Sequence, residues 1–149
     1  MAVERAERGT PPGPWLELVA PPSPQLAAVL AFPGHVIVAA DVPRRWLESW
    51  IPPDDYCAPT GPPFLAALEE LIRLEADSLD VLLLAAPLAG ARHLLPDDRS
   101  AWAQCAPGNA ASLRALLAAG YLPVGSEVLL TSPRRPASSP STNARSPSG

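Results

Sequence analysis

Two stretches of the chain carry apolar residues at helical spacing. In FLAALEELIRL the apolar positions recur at i, i+1, i+4, i+7 and i+8, which predicts one buried stripe on a helix made of Phe64, Leu65, Leu68, Leu71 and Ile72. A shorter segment, PRRWLESW, opens with Pro43, a residue suited to a first helical turn. Its apolar side carries Trp46, Leu47 and Trp50. Both segments are predicted to be helices that bury one face.

Four other runs have the length and composition of strands: HVIVAAD at 35–41, DVLLLAA at 80–86, AWAQCA at 101–106 and YLPVGSEVLL at 121–130. The continuous apolar run 80–86 is typical of a strand that is covered on both faces. The last run contains a Pro-Val-Gly-Ser bend. Because helical and strand patterns alternate along the chain, we predict an α/β fold, a small mixed β-sheet flanked by helices on both of its faces.

The segment between the last two strands has sharp helix boundaries. Asn109 is a residue type that caps helix N-termini, and Gly120 stands where a left-handed residue ends a helix. Between them Leu113, Leu116 and Leu117 are predicted to form the buried stripe. The sequence therefore predicts a strand-helix-strand unit over about residues 101 to 130.

Proline separates a folded body from two ends. The chain has 21 prolines in 149 residues, with six of them in residues 1–24, which we interpret as an extended lead-in anchored by Trp15 and Leu16. Residues 131–149 are rich in Ser, Pro and Arg without large apolar side chains, which predicts a disordered tail. One folded domain is expected over residues 25–130.

Charge and composition exclude several function classes. The net charge is −4, and since the tail has three arginines and no acid, residues 1–130 hold 8 basic and 15 acidic side chains. That excess of acid disfavours binding to a nucleic-acid backbone. No apolar run reaches the roughly 20 residues of a membrane span, and the N-terminal residues lack the apolar core of a signal peptide, so a cytoplasmic protein is expected. His35, His93 and the two cysteines lack metal-motif spacing, so no metal site is predicted.

The segment APGNAASLRALLAAGYLPVGSEVLL resembles the carboxy-terminal part of the GNAT family, the Gcn-five-related N-acetyltransferases. In that family a strand ends in an Asn that begins a helix of the form N-x-x-S/A, and a Gly-Phe or Gly-Tyr pair closes the helix. Here Asn109, Ser112, Gly120 and Tyr121 match that pattern. The segment PPFLAALEELIRLEADSLDVLLLAAP is similar to an amino-terminal portion of some members.

The resemblance implies transfer of an acetyl group from acetyl-CoA to an amine. It also implies that the coenzyme enters between two parallel strands that splay apart, with its pyrophosphate on free backbone amides at a helix start. Asn109 and Ser112 are the residues that it implies for coenzyme binding. Two roles for Asn109 stay open, a hydrogen bond to the pantetheine arm or the helix cap alone.

The chain departs from the family at two positions. The pyrophosphate loop, of the form Arg/Gln-x-x-Gly-x-Gly/Ala, is not found, and Gly90 is the only glycine between Ala66 and Ala106. We interpret Gly90 and Ala91 as the junction of an internal deletion. The Tyr that protonates the leaving thiolate in many members is replaced by Leu116, so no catalytic residue is predicted.

These departures lead to two hypotheses. The first is a GNAT-type N-acetyltransferase that is impaired in this chain. The alternative is a non-catalytic remnant or interaction module that uses an exposed strand edge and is able to self-associate.

Overall fold

A mixed β-sheet forms the centre of the protein. The structure is a computed structural model that describes residues 15–53, 55, 57–85 and 101–133. Within these ranges the strands are β1 Leu16–Val19, β2 Leu26–Phe32, β3 His35–Ala39, β4 Glu75–Ala85, β5 Trp102–Cys105 and β6 Tyr121–Thr131. The helices are α1 Arg44–Trp50, α2 Pro62–Ile72 and α3 Ala110–Ala118, with a short 3₁₀ turn at Ala58–Thr60. The predicted α/β fold class is confirmed.

The six described strands lie in the order β1-β3-β2-β6-β4-β5. Every neighbouring pair is antiparallel except β1 and β3, which are parallel. A tight turn at Pro33 and Gly34 joins β2 to β3, and Gly34 has a φ of 74°, a conformation that favours glycine. The strands β5 and β6, which flank α3 in the chain, lie on either side of β4.

Alternate residues of the sheet point toward α1 and α2. The buried cluster includes Val29, Val38 and Val128 from the sheet, together with Leu47 from α1 and Leu68 from α2. Such alternation follows from the two-residue period of a strand, which sends every second side chain to the same face. The apolar stripe predicted for α2 is confirmed except at Leu71, which is 45% exposed. On α1, Leu47 is buried and Trp50 is exposed.

The strand-helix-strand unit forms with the predicted boundaries. Asn109 occupies the N-cap position of α3, and Gly120, with a φ of 86°, is left-handed at its end. The predicted stripe is confirmed only in part, because Leu113 and Leu116 are half-buried, Leu117 is 44% exposed and no residue of α3 is fully buried. The reason is that β5 is only four residues long and lies at the sheet edge, so it offers little apolar surface for a helix to cover.

Two strands lie where the sequence predicted none. β1 lies within residues 1–24, assigned to the lead-in, and its Leu16 is buried. β2, with the sequence LAAVLAF, has a single β-branched residue, so its composition did not indicate a strand. Gly90, Ala91, His93 and the tail from residue 134 onward lie outside the described residues.

Candidate functional site

A groove of about 380 Å³ opens on the sheet face opposite α1 and α2. Four strands line it, β2, β4, β5 and β6, through Leu30, Phe32, Leu82, Trp102, Ala103, Gln104 and Glu127. Leu30 pairs with Glu127 across β2 and β6, and Leu82 pairs with Gln104 across β4 and β5. Paired residues share a sheet face, so these four side chains converge on one surface.

Gly125 shapes the floor of this groove. A Cβ at this position would lie 2.6 Å from the carbonyl oxygen of Ala31 and 2.8 Å from Cδ1 of Phe32. The absence of a side chain therefore lets β2 and the Phe32 ring approach β6 closely. The register of β4 against β6 shifts between Leu82 and Leu83, next to this glycine. An irregularity of this kind bends a strand and helps to make the sheet face concave.

The polar part of the groove centres on the Glu127 carboxylate. Partial burial raises the pKa of Glu127, and the nearby charge of Asp80 raises it further. Asp80 lies opposite Glu127 in the β4–β6 register. On the other side, Nε2 of Gln104 donates a hydrogen bond to Oε2 of Glu127. A half-buried carboxylate with a raised pKa is suited to binding a cation or accepting a proton.

Sequence reasoning did not single out Glu127, Gln104 or Asp80. Each stands within or at the start of a run that was predicted only as a strand. Charged and amide side chains inside otherwise apolar strands are the sequence signal that could have indicated a polar site. Their convergence depends on the pairing of β4 with β6 and with β5, which the sequence does not display.

The predicted coenzyme residues lie outside the groove lining. The side chain of Asn109 accepts a hydrogen bond from the backbone N–H of Ser112, with Oδ1 and N 3.1 Å apart. The capping role of Asn109 is thereby confirmed, and both residues are exposed. Their contact with coenzyme stays a prediction.

The start of α3 does not fit the pyrophosphate of acetyl-CoA. At the start of α3 the N–H groups of Ser112 and Leu113 are already bonded to Asn109, which leaves those of Ala110 and Ala111. The strands on either side of α3 in the chain do not splay from each other, since β4 lies between them. An anion of two phosphates requires a larger set of converging donors than this helix start provides.

Replacing Asn109 by alanine is expected to lower the free energy of unfolding by about 1 kcal/mol, because the cap of α3 loses its acceptor. Asn109→Ser keeps a capping oxygen and should stay within about 0.5 kcal/mol of wild type. Urea unfolding followed by circular dichroism measures both values. Equal stability of the alanine and serine variants would contradict a cap that contributes to folding.

His35 is buried at the β2–β3 turn. Its Nε2 lies 3.4 Å from Oε2 of Glu17, and neither ring nitrogen has a hydrogen-bond partner in the described structure. Over the described ranges no group of three His, Cys, Asp or Glu side chains is placed to hold a metal ion. The described helices include none with the length and apolar character to cross a membrane.

Comparison with protein families, with characterised proteins and with solved structures finds no match to this chain.

Proposed function

We propose that the chain is a GNAT-type N-acetyltransferase by descent, in which the groove still binds the acceptor amine and acetyl transfer from acetyl-CoA is impaired. The observation that carries the proposal is the half-buried Glu127 carboxylate, beside Asp80, in a groove lined largely by apolar side chains. Such a site combines negative charge with apolar contact area. This combination suits a small organic amine better than an anion or a neutral polar molecule.

Four of the lining residues, and Asp80 beside them, have distinct parts in binding the amine. Glu127 accepts a hydrogen bond from the ammonium group, and Asp80 adds negative charge on the same sheet face. Phe32 and Trp102 contact the carbon skeleton and present aromatic faces to the cation. Gln104 holds the carboxylate by donating to Oε2. Since its pKa is raised, Glu127 is also placed to take the proton that an ammonium must lose before it acts as a nucleophile.

Impaired transfer follows from two features of the chain. The start of α3 offers no cradle for the coenzyme pyrophosphate, because two of its amides are already bonded. Leu116, at the position of the family's acid, has no proton to donate to a leaving thiolate. We therefore expect amine binding without turnover.

Isothermal titration with phenethylamine, a primary amine with an aromatic body, tests this function. We expect binding by the wild-type chain and about tenfold weaker binding by Glu127→Gln, which removes one charge-assisted hydrogen bond. Glu75→Gln is the matched control, because Glu75 is an exposed acid of β4 outside the groove lining. Acetyl-CoA is expected to give no heat and no acetylated product.

The pH dependence of this binding has a defined sign. The amine binds the ionised form of Glu127, whose pKa is raised. Affinity is therefore highest at pH values well above that pKa, and it falls as the pH is lowered through it. The loss begins at a higher pH than an exposed Glu would give. Glu127→Gln should show a flatter profile. Equal affinities of wild type and Glu127→Gln would rule out the groove as the amine-binding site. Formation of acetylated amine from acetyl-CoA would contradict the claim that acetyl transfer is impaired.

A further inference from the structure

The strand β5 has a free hydrogen-bonding edge within the described structure. It is paired with β4 on one side and has no described neighbour on the other. The N–H of Ala85 donates to the carbonyl of Ala101 across 2.9 Å. This bond fixes which residues of β5 direct their main-chain groups toward β4. Residues Ala103 and Cys105 then bond to β4, and the main-chain groups of Trp102 and Gln104 point away from the sheet.

The opposite edge of the sheet, formed by β1, is blocked. Nη2 of Arg44 donates to the carbonyl of Leu16 across 3.3 Å and so occupies an edge acceptor. The charged Glu17 stands within β1, and Pro21 and Pro22 follow it. Charge, proline and side-chain cover are the usual protections of an edge strand. β5 has no charged residue and no proline, and its Trp102 is 41% exposed.

We propose that β5 pairs antiparallel with β5 of a second copy of this chain, so that the two sheets become continuous. In the register that fits best, a two-fold axis passes beside Ala103, and Trp102 lies opposite Gln104 of the partner subunit. The outward groups of both residues then meet outward groups, and each facing pair exchanges two hydrogen bonds. β5 carries no charge that would repel its own copy. At the two-fold axis Ala103 lies opposite Ala103 of the partner subunit, and two side chains this small fit there without a clash.

This pairing extends the groove. Trp102, Ala103 and Gln104 line the groove and also form the edge, so a second β5 places its own Trp102 and Gln104 beside each groove. The dimer depends on the β5 main chain and not on Glu127. A failure to dimerise and a failure to bind the amine can therefore be told apart, because each has its own variants and its own measurement.

Sedimentation equilibrium over a concentration series tests the pairing. We expect a reversible monomer–dimer equilibrium for the wild-type chain. Gln104→Pro removes an outward N–H from each copy and leaves the bonds to β4 intact, so the dimer dissociation constant should rise about 30-fold. Gln104→Ala is the control, because it loses the same side chain and keeps the N–H, and it should stay within about threefold of wild type.

Hydrogen exchange on the wild-type chain gives a second readout that needs no variant. The amides of Trp102 and Gln104 should become protected as the concentration rises, and those of Ala103 and Cys105, which bond to β4, should be protected throughout. A monomer mass at every concentration up to about 1 mM would overturn the proposal. So would a dimer whose dissociation constant is the same in the proline and alanine variants, or one that leaves the Trp102 and Gln104 amides unprotected.

Discussion

Phe64→Ala should lower the free energy of unfolding by about 3–5 kcal/mol, a large part of the roughly 5–15 kcal/mol that stabilises a typical domain. Phe64 is 2% exposed and belongs to the cluster that joins α2 to the sheet. Its ring centroid lies 6.0 Å from that of Trp46 on α1, so it also links the two helices. Truncation leaves a cavity among groups that belong to three separate elements and that cannot all close around it.

Leu71→Ala on the same helix is the matched control. Because Leu71 is 45% exposed, the change should cost no more than about 0.5 kcal/mol. Urea unfolding followed by far-UV circular dichroism compares the two variants. Similar losses from both would mean that α2 is not held on the sheet through Phe64.

Gly125→Ala is expected to destabilise the protein by about 1–3 kcal/mol and to weaken amine binding in the groove. The added Cβ would meet the Ala31 carbonyl oxygen at 2.6 Å, so the main chains of β2 and β6 would have to separate. It would also meet Cδ1 of Phe32 at 2.8 Å and displace a ring that lines the groove. The stability effect and the binding effect thus have a common origin.

Two further variants separate these causes. Gly108→Ala is the control, because a Cβ at Gly108 has no heavy atom within 4 Å and should be tolerated. The double variant Gly125→Ala/Phe32→Ala removes the ring contact and keeps the backbone contact. It should therefore be less stable than Phe32→Ala by about the amount that Gly125→Ala loses relative to wild type. Equal stability of the double variant and Phe32→Ala would mean that the Phe32 ring, and not the Ala31 carbonyl, is the limiting contact.

The groove and the β5 edge meet at the same residues, and this has a functional consequence. Gln104 donates to Glu127 through its side chain, and its main-chain N–H points to the edge of β5 that has no described neighbour. If β5 pairs as proposed, the backbone of a residue that orients the carboxylate is restrained, and we expect amine affinity to change with association.

Features that depend on neighbours within a few residues were predictable from the sequence. The cap at Asn109, the left-handed Gly120 and the apolar stripe of α2 follow from hydrogen bonds and side-chain spacing within one or two helical turns. The strands β3, β4, β5 and β6 were recognised by their apolar runs, although β4 begins at Glu75, five residues before the predicted Asp80. Buried Cys105 fits its place in one of these runs.

Tertiary structure alone decided the rest. β2 is a strand because β3 and β6 supply partners for both of its edges, although its alanine-rich sequence has little strand preference. The candidate site likewise depends on register, since a slip of one residue between β4 and β6 would turn Asp80 away from Glu127. The sequence by itself determined where helices begin and end, because those signals are local. Long-range strand pairing determined which side chains meet, because the local sequence of a strand does not specify the distant residues with which it pairs.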